Sequence, residues 1–557
     1  MKELKQSQGT RGGYWLLALV LVLLLVSVAG FTGGAREEKA EEGYGGKMVI
    51  GFNQPMETLS LDNSNMWSNW GCLYFLLVYD TFEHFNLPPD YFSLSPRIIK
   101  SYETSDDQTT WTIHIVENAK WHDGKPLTAE DIKFTLEKLY MLPQWQDVDM
   151  KVESAEIIDD YTLKVVNSGP LTTTNAPGWW SWDPVVPKHI LEDYADNVPE
   201  YPNEEAVGSG PFKLKEYKEG EYMWLVVNED YWDGRPYLDE VVLRYYGNVE
   251  TMLMALKKGD IDVFGNEAIP VQALEDVQAD PNIKVEIVKG LKLGMLSFNL
   301  HKETALQDIT VRKAIMTAID RDRIVDMVYL GYAEKYDSWV YAEDPQHHPN
   351  LPQYDYDPAK ANRMLEEAGY RDTDGDGIRN DPKTGANLRF GLLAPAEYSD
   401  FVKVATLVSE FLPEIGIAID REVVDLDTYF EYYYYPQEDA YDIAVGSEEP
   451  APAPYADWIW LMAVSSGVET GWNAAYYLNP HFDELVEQLT TVGSMEERRA
   501  ILHELQEIMS EDLPYGFLVR PKFISAYRVD KFEGWVNQIG GPVSWMNPHS
   551  ILNARLK

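Results

Sequence analysis

Asp372, Asp374 and Asp376 stand at alternate positions ahead of Gly377, the opening half of a calcium loop in which short acids supply ligands and a glycine makes the sharp turn. A complete loop needs a bidentate acid at its twelfth position, where this chain has Lys383. Two readings follow: a calcium site filled out by Asn380 and Asp381, or a solvated acidic turn behind Gly369-Tyr370. His122 and Asp123 form an acid/base pair by type, yet they lie in Trp121-His122-Asp123-Gly124-Lys125-Pro126, a loop feeding a helix start, and read as structural. Gly208-Ser209-Gly210 is not a G-x-S-x-G nucleophile elbow, and no H-E-x-x-H occurs. Gly46-Lys47 is no phosphate loop, because Glu41 occupies the position of its first glycine. The single thiol, Cys72, excludes disulfides, C-x-x-C chemistry and Cys-rich zinc, and beside the apolar run Leu73 to Val78 it reads as buried and inert. The residue types point to binding, not catalysis, and to no cofactor beyond calcium at the acidic turn.

Binding surface is available in the aromatic residues. The chain holds 17 Trp and 35 Tyr, far more than one core needs exposed, and rings in a cleft offer flat apolar faces while indole N–H and phenol O–H remain for hydrogen bonds. Trp67 and Trp70 in an early loop, Trp458 and Trp460, Trp472 and Trp545 are the candidates.

The elements that must position these residues alternate between strand and helix. Met48 to Phe52 and Trp111 to Val116 read as strands, the second by its apolar/polar alternation. Thr128 and Asp131 predict a capping box, with Ile132, Leu136 and Leu139 on one buried face. Tyr222 to Asn228 and Glu240 to Tyr246 flank a turn-rich connection and predict an antiparallel pair. Asp357-Pro358 opens a helix through Ala361, Leu365 and Ala368 that ends at Gly369. Phe401, Val404, Val408 and Phe411 mark another, followed by a strand over Ile415 to Val424; Tyr441 to Val445 is a further strand. Two closing helices carry Phe482 to Leu489 and Ile501 to Ile508. Such interleaving over 557 residues predicts α/β lobes with mixed sheets.

Composition narrows the partners. There are 91 Asp+Glu against 47 Lys+Arg, a net charge of −44 spread along the chain, which excludes a nucleic-acid footprint and repels anionic lipid. Lys2, Lys5 and Arg11 precede the uncharged run Tyr14 to Phe31, and Ser27-Val28-Ala29 suits signal-peptidase cleavage. The uncharged stretch Gly12 to Ala35 also suffices to span a bilayer, so an export signal and an uncleaved N-terminal anchor both stand. Either places the body outside the cytoplasm.

Several segments, in order, resemble the family-5 extracytoplasmic solute-binding proteins of ABC importers. They are Ser95 to Tyr102; Thr109 to Val116 with Trp121 to Asp131; Gly208-Ser209-Gly210-Pro211-Phe212; Asn228-Glu229-Asp230-Tyr231-Trp232; Ala255 to Asp262; Phe298-Asn299; Val311 to Ile315 with Ala318-Ile319-Asp320; and Asp357 to Tyr370. The resemblance implies a periplasmic-binding-protein-like bilobal clamp of type II, cluster C, with an accessory domain. Residues 1–43 would be signal or anchor plus flexible leader; 44–80, 190–285 and 520–557 lobe one; 81–189 the accessory domain; and 286–519 lobe two. Hinge strands would lie near Leu291 to Leu300 and Tyr515 to Phe523. It also implies a monomer that captures an oligopeptide-like solute and delivers it to membrane permease subunits. Peptide-binding relatives use an aspartate in a "G-W-x-x-D-Y" segment to pair with the ligand's amino terminus, and Pro450 stands at that position here. Glu448, Glu449 or Asp457 would supply the charge from another geometry, or the ligand is an oligosaccharide without an ammonium. Asn473, in Trp472-Asn473-Ala474-Ala475-Tyr476-Tyr477, matches an asparagine in the family's segment lining the far lobe. A secreted hydrolase using two of the carboxylates is the remote alternative.

Overall fold

The computed structural model describes residues 43–54, 56–61, 69–85, 94–139, 152–167, 169, 184–265, 268–434, 441–450, 457–489, 491–538, 540–543 and 548–557. The N-terminal run Tyr14 to Phe31, Trp67 and Trp545 lie outside them. Among the described residues no helix is long and apolar enough to cross a membrane.

Strand β1 (Lys47–Phe52) and helix α1 (Asn69–Val78) open the fold. The apolar run around Cys72 is helical and lies in the core, with Leu73, Tyr74, Leu77 and Val78 all at most 1% exposed. Strands β2 (Ile99–Thr104), β3 (Thr110–Ile115), β4 (Val152–Asp159) and β5 (Thr162–Asn167) form an antiparallel sheet in the order β2-β3-β5-β4. The alternation read in β3 is realised: Trp111, Ile113 and Ile115 point inward. Helix α2 (Ala129–Phe134) begins where the capping box predicts, with Asp131 Oδ2 accepting the Thr128 N–H at 2.9 Å, and Ile132, Leu136 and Leu139 are buried. One buried cluster joins this sheet to β1 and α1, so the small sheet packs on the first lobe's own core.

The chain then returns through β6 (Phe212–Lys218), β7 (Tyr222–Val227) and β8 (Glu240–Tyr245), a meander whose last strand lies parallel to β1. The antiparallel pairing of β7 and β8 agrees with the sequence. Helix α3 (Val249–Lys258) leads to β9 (Val263–Phe264), on the other side of β1.

Strands β10 (Ile283–Lys289) and β11 (Leu293–Phe298) are separated by only Gly290 to Lys292, yet they belong to different sheets. The second sheet is built from β11 and the α/β segment after it. This segment comprises helix α4 (Ile309–Ala318), β12 (Ala333–Lys335), α5 (Pro358–Glu367), β13 (Arg389–Pro395), α6 (Ser399–Phe411), β14 (Ala418–Val424), α7 (Leu426–Tyr434), β15 (Ile443–Glu448), α8 (Pro480–Leu489) and α9 (Met495–Asp512). Both predicted ends of α5 are found: Asp357 Oδ1 accepts the Lys360 N–H at 2.7 Å, and Gly369 adopts φ +93°. Ile415 belongs to a 3-10 turn, not to β14, because Gly416 at φ +72° breaks the chain direction before the strand starts.

Strand β16 (Tyr515–Arg528) joins the two sheets. Its first half pairs with β11, giving the order β14-β13-β15-β11-β16; its second half pairs with β10 and β9, giving β6-β7-β8-β1-β9-β16. Two crossings therefore lie side by side, at Gly290 and at Pro521. They touch: a Cβ on Gly290 would sit 2.2 Å from the Pro521 carbonyl oxygen, so only glycine fits. Buried Arg520 fastens them, donating from Nε to the Gly290 carbonyl at 2.7 Å and from Nη1 to Glu343 at 2.8 Å.

Candidate functional site

The register of the second sheet stacks three rows of side chains on one face: Ala444, Ser297 and Tyr515; Gly446, Met295 and Phe517; and Glu448 with Leu293. Helix α7 covers the β15 end of this face. Tyr429 donates to the Val445 carbonyl at 2.8 Å, and the Tyr433 hydroxyl lies over Gly446, where an added Cβ would meet it at 3.0 Å. Tyr429 and Tyr433 stack at 5.4 Å, which the i, i+4 spacing on one helical face produces. Trp339 closes the β16 end, 5.1 Å from the Tyr515 ring.

Five polar groups at this face are buried and, among the described residues, have no hydrogen-bond partner: Glu448 Oε1, the Tyr433 hydroxyl, Ser297 Oγ, Trp339 Nε1 and Arg520 Nη2. Each costs about 1–3 kcal/mol left unpaired. Burial pushes the Glu448 carboxyl up to about 8, with the charge of Glu449 adding to it. The groups facing it are Tyr429, Tyr433 and Tyr434 of α7 and Tyr515 of β16; burial chiefly holds Tyr429, Tyr433 and Tyr515 above the usual tyrosine range with Glu448 adding to it, and in Tyr434 the Glu448 charge comes first and burial second. The cation Lys292 lies over the Tyr398 and Phe401 rings at 4.9 and 4.7 Å and makes no ion pair with Glu448. Arg520 stands one residue past Val519, the partner of Gly294, about two strand spacings or ~10 Å from Glu448 across the sheet.

The face is tied to the first crossing. The Tyr341 hydroxyl lies 2.6 Å from the Leu291 carbonyl, in the first crossing, and 2.5 Å from the Pro450 carbonyl, just beyond Glu448 and Glu449. The Tyr341 ring in turn carries the Arg520 guanidinium at 4.3 Å.

The residues singled out from sequence divide. Glu448 is in the last of the three rows of the face, and Glu449 follows it, close enough to raise both Glu448 and Tyr341. Trp472 is 42% exposed and edges onto Tyr434 at 6.4 Å. Asn473 is buried and its amide is consumed within its own loop: Nδ2 donates to the Val464 and Tyr477 carbonyls at 3.0 and 2.7 Å, and Oδ1 accepts the Tyr477 N–H at 3.0 Å. It holds the loop that carries Trp472. Trp70 sits on α1, not in a loop, and is 3% exposed against Tyr74, so its ring is spent on the core. Trp460 likewise packs inside, against Trp339 and Phe482. Asp457 and Trp458 begin a 3-10 turn, but their side chains fall outside the described residues. Tyr433, Tyr434, Tyr515, Trp339 and Arg520 were not anticipated; the run Tyr429-Phe430-Glu431-Tyr432-Tyr433-Tyr434 was the available signal, since it places two aromatic pairs at i, i+4.

Away from this face, Asp372, Asp374 and Asp376 do converge, with one oxygen of each within 4.8 Å of the others, all exposed. Their oxygens are engaged with the turn itself: Asp372 accepts the Gly375 and Gly377 N–H groups and Asp376 accepts from Ile378 and Asn387. His122 is structural as expected, its ring bridging the Gly208 N–H and the Gly210 carbonyl. Cys72 is buried, and its thiol is pushed up to about 12 by desolvation.

Comparison with known proteins agrees with this architecture. The model for "Bacterial extracellular solute-binding proteins, family 5 Middle" matches residues 93–467. The oligopeptide-binding protein AppA of Bacillus subtilis is 30% identical over 535 residues, covering 90% of this chain and 92% of that protein. The nickel-binding protein NikA of Staphylococcus aureus is 24% identical over 424 residues, covering 76% and 79%. Among solved structures, Bacillus subtilis AppA in complex with a nonapeptide superposes with a TM-score of 0.76 at 24% identity, covering 93% of this chain and 100% of that one. A periplasmic oligopeptide-binding protein from Thermotoga maritima gives 0.79 at 20% identity, covering 93% and 100%. The fold is thus the bilobal clamp of type II periplasmic binding proteins. The chain belongs to the family 5 bacterial extracellular solute-binding proteins, the non-enzymatic, extracytoplasmic substrate-binding components of ABC importers.

Proposed function

We propose that this chain captures an oligopeptide between its lobes, with the Glu448 face of the second sheet as one wall. The observation that carries the reading is a buried, unpaired carboxyl oxygen, Glu448 Oε1, and a buried, unpaired guanidinium N–H, Arg520 Nη2, on one sheet beside the hinge. A peptide brings both a cation and a carboxylate or carbonyl oxygen to such a pair, whereas a sugar brings neither charge. Ligand held on this wall gains further contacts only when the other lobe closes, so occupancy shifts the open–closed equilibrium, and the closed monomer is the form offered to the permease. Tyr341 links the end of the wall to the first crossing and supports that coupling. Similarity to the oligopeptide-binding protein AppA of Bacillus subtilis supports the reading.

Isothermal titration with tripeptides, cello- and xylo-oligosaccharides and nickel–histidine tests it. Micromolar or tighter binding of peptides alone is expected. Saturable binding of a sugar with no peptide binding would overturn it and favour the exposed ring of Trp472 as a sugar platform.

A further inference from the structure

The Glu448 wall does not end at the carboxylate. Tyr434 follows Tyr433, whose hydroxyl lies over Gly446 two residues before Glu448, and it is only partly buried; two exposed rings continue outward from it. Phe430, 38% exposed, stacks on Tyr434 at 5.8 Å and 26°; Trp472, 42% exposed, meets it edge-on at 6.4 Å. Each ring is fixed from behind. Phe430 and Tyr434 share one face of α7, a helix pinned by the Tyr429 bond to Val445, and Trp472 rides on the loop locked by Asn473. The result is an aromatic shelf running from solvent to a buried carboxylate, with the unpaired Tyr433 hydroxyl beside it.

A terminal ammonium has no stem to lay along such a shelf. An arginine side chain does: its methylenes cover apolar surface, its planar guanidinium stacks on aromatic faces, and its N–H groups match a carboxylate and a neighbouring hydroxyl together. A chain of net charge −44 favours a cationic guest. Resting on the peptide reading above, we propose that Tyr434, Phe430, Trp472 and Glu448 form a side-chain pocket that selects peptides carrying arginine, with the guanidinium on Glu448.

The test uses the whole extracytoplasmic chain and four ligands in calorimetry: Ac-Ala-Arg-Ala-amide, the same peptide with norleucine or citrulline in place of arginine, and free Ala-Ala-Ala. The arginine peptide is expected to bind about thirtyfold more tightly than either isostere despite its blocked amino terminus. In Glu448→Gln and Trp472→Ala that ratio falls to about threefold or less, each variant being checked for native circular dichroism and melting. Equal affinity for arginine and norleucine peptides overturns the pocket while leaving peptide capture intact. Binding confined to free Ala-Ala-Ala also overturns it, by assigning Glu448 to the amino terminus. If none of the four binds, peptide capture fails and the pocket fails with it.

Discussion

Glu448 makes ligand binding a proton-linked event whose size follows from its environment. With the carboxyl near 8 in the empty protein, about nine-tenths of molecules carry the proton there at pH 7. A guanidinium, which does not titrate, pairs only with the carboxylate, so binding at pH 7 should release about 0.9 proton, falling to about 0.5 at pH 8. Affinity should rise about tenfold per pH unit below 8 and level off above it, a gain of roughly a hundredfold, or about 2.7 kcal/mol, between pH 6 and 9. Calorimetry in phosphate and in Tris measures the released proton as the dependence of apparent enthalpy on buffer ionisation enthalpy. Glu448→Gln should abolish both effects. The same shift acts on the empty protein with a definite sign: the folded state holds a proton the unfolded state has lost, so stability from this group falls as pH rises from about 4.5 through 8, by at most about 5 kcal/mol. Glu448→Gln should therefore melt higher than the parent at pH 8.5 while binding worse. A flat affinity from pH 6 to 9, or identical enthalpies in the two buffers at pH 7, would refute the assignment of Glu448 as the ligand's counter-charge.

Gly290→Ala should cost about 1–3 kcal/mol in urea unfolding and change the lobe angle seen by small-angle scattering, because the new methyl meets the Pro521 carbonyl at 2.2 Å and the crossings must part; an unchanged midpoint would show that they slide freely. Asn473→Ala removes three bonds inside one loop and should raise hydrogen exchange across residues 464–477, with a stability loss of about 1–3 kcal/mol; unchanged exchange would mean the loop is held elsewhere. Cys72 should resist thiol reagents at pH 8 until the protein is unfolded, since the thiol is buried and held at about 12; rapid labelling of the native protein would contradict its position in the core. At the acidic turn, where backbone amides already occupy Asp372, millimolar calcium should move the melting temperature by less than about 1 °C, and a rise of several degrees would assign a calcium site instead.

What local chemistry dictates could be read directly. The caps at Thr128/Asp131 and Asp357, the alternation in β3, the turn between β7 and β8, and the buried stripe of α6 depend on neighbours within a few residues, so spacing alone locates them. The ordered landmarks likewise carried the family and its clamp. Trp70 shows the limit: an indole near a polar stretch reads as loop, but only packing against Tyr74 and the first lobe's core decides that it faces inward. Glu448 was one acid among 91 by sequence, next to an equally eligible Glu449. What distinguishes it is that β15, β11 and β16 pair in a register that buries it, that α7 lays tyrosines over it, and that among the described residues no cation of these elements forms an ion pair with it. Those contacts join residues as near as Tyr429 and Val445, 16 positions apart, and as far as Met295 and Phe517 at opposite ends of the segment, and the free energy of an ionisable group is set by what surrounds it in space. Composition and spacing determine which side chains are present and which local segments form; whether a carboxylate is neutralised, solvated or left waiting for a ligand is decided only when the sheets assemble.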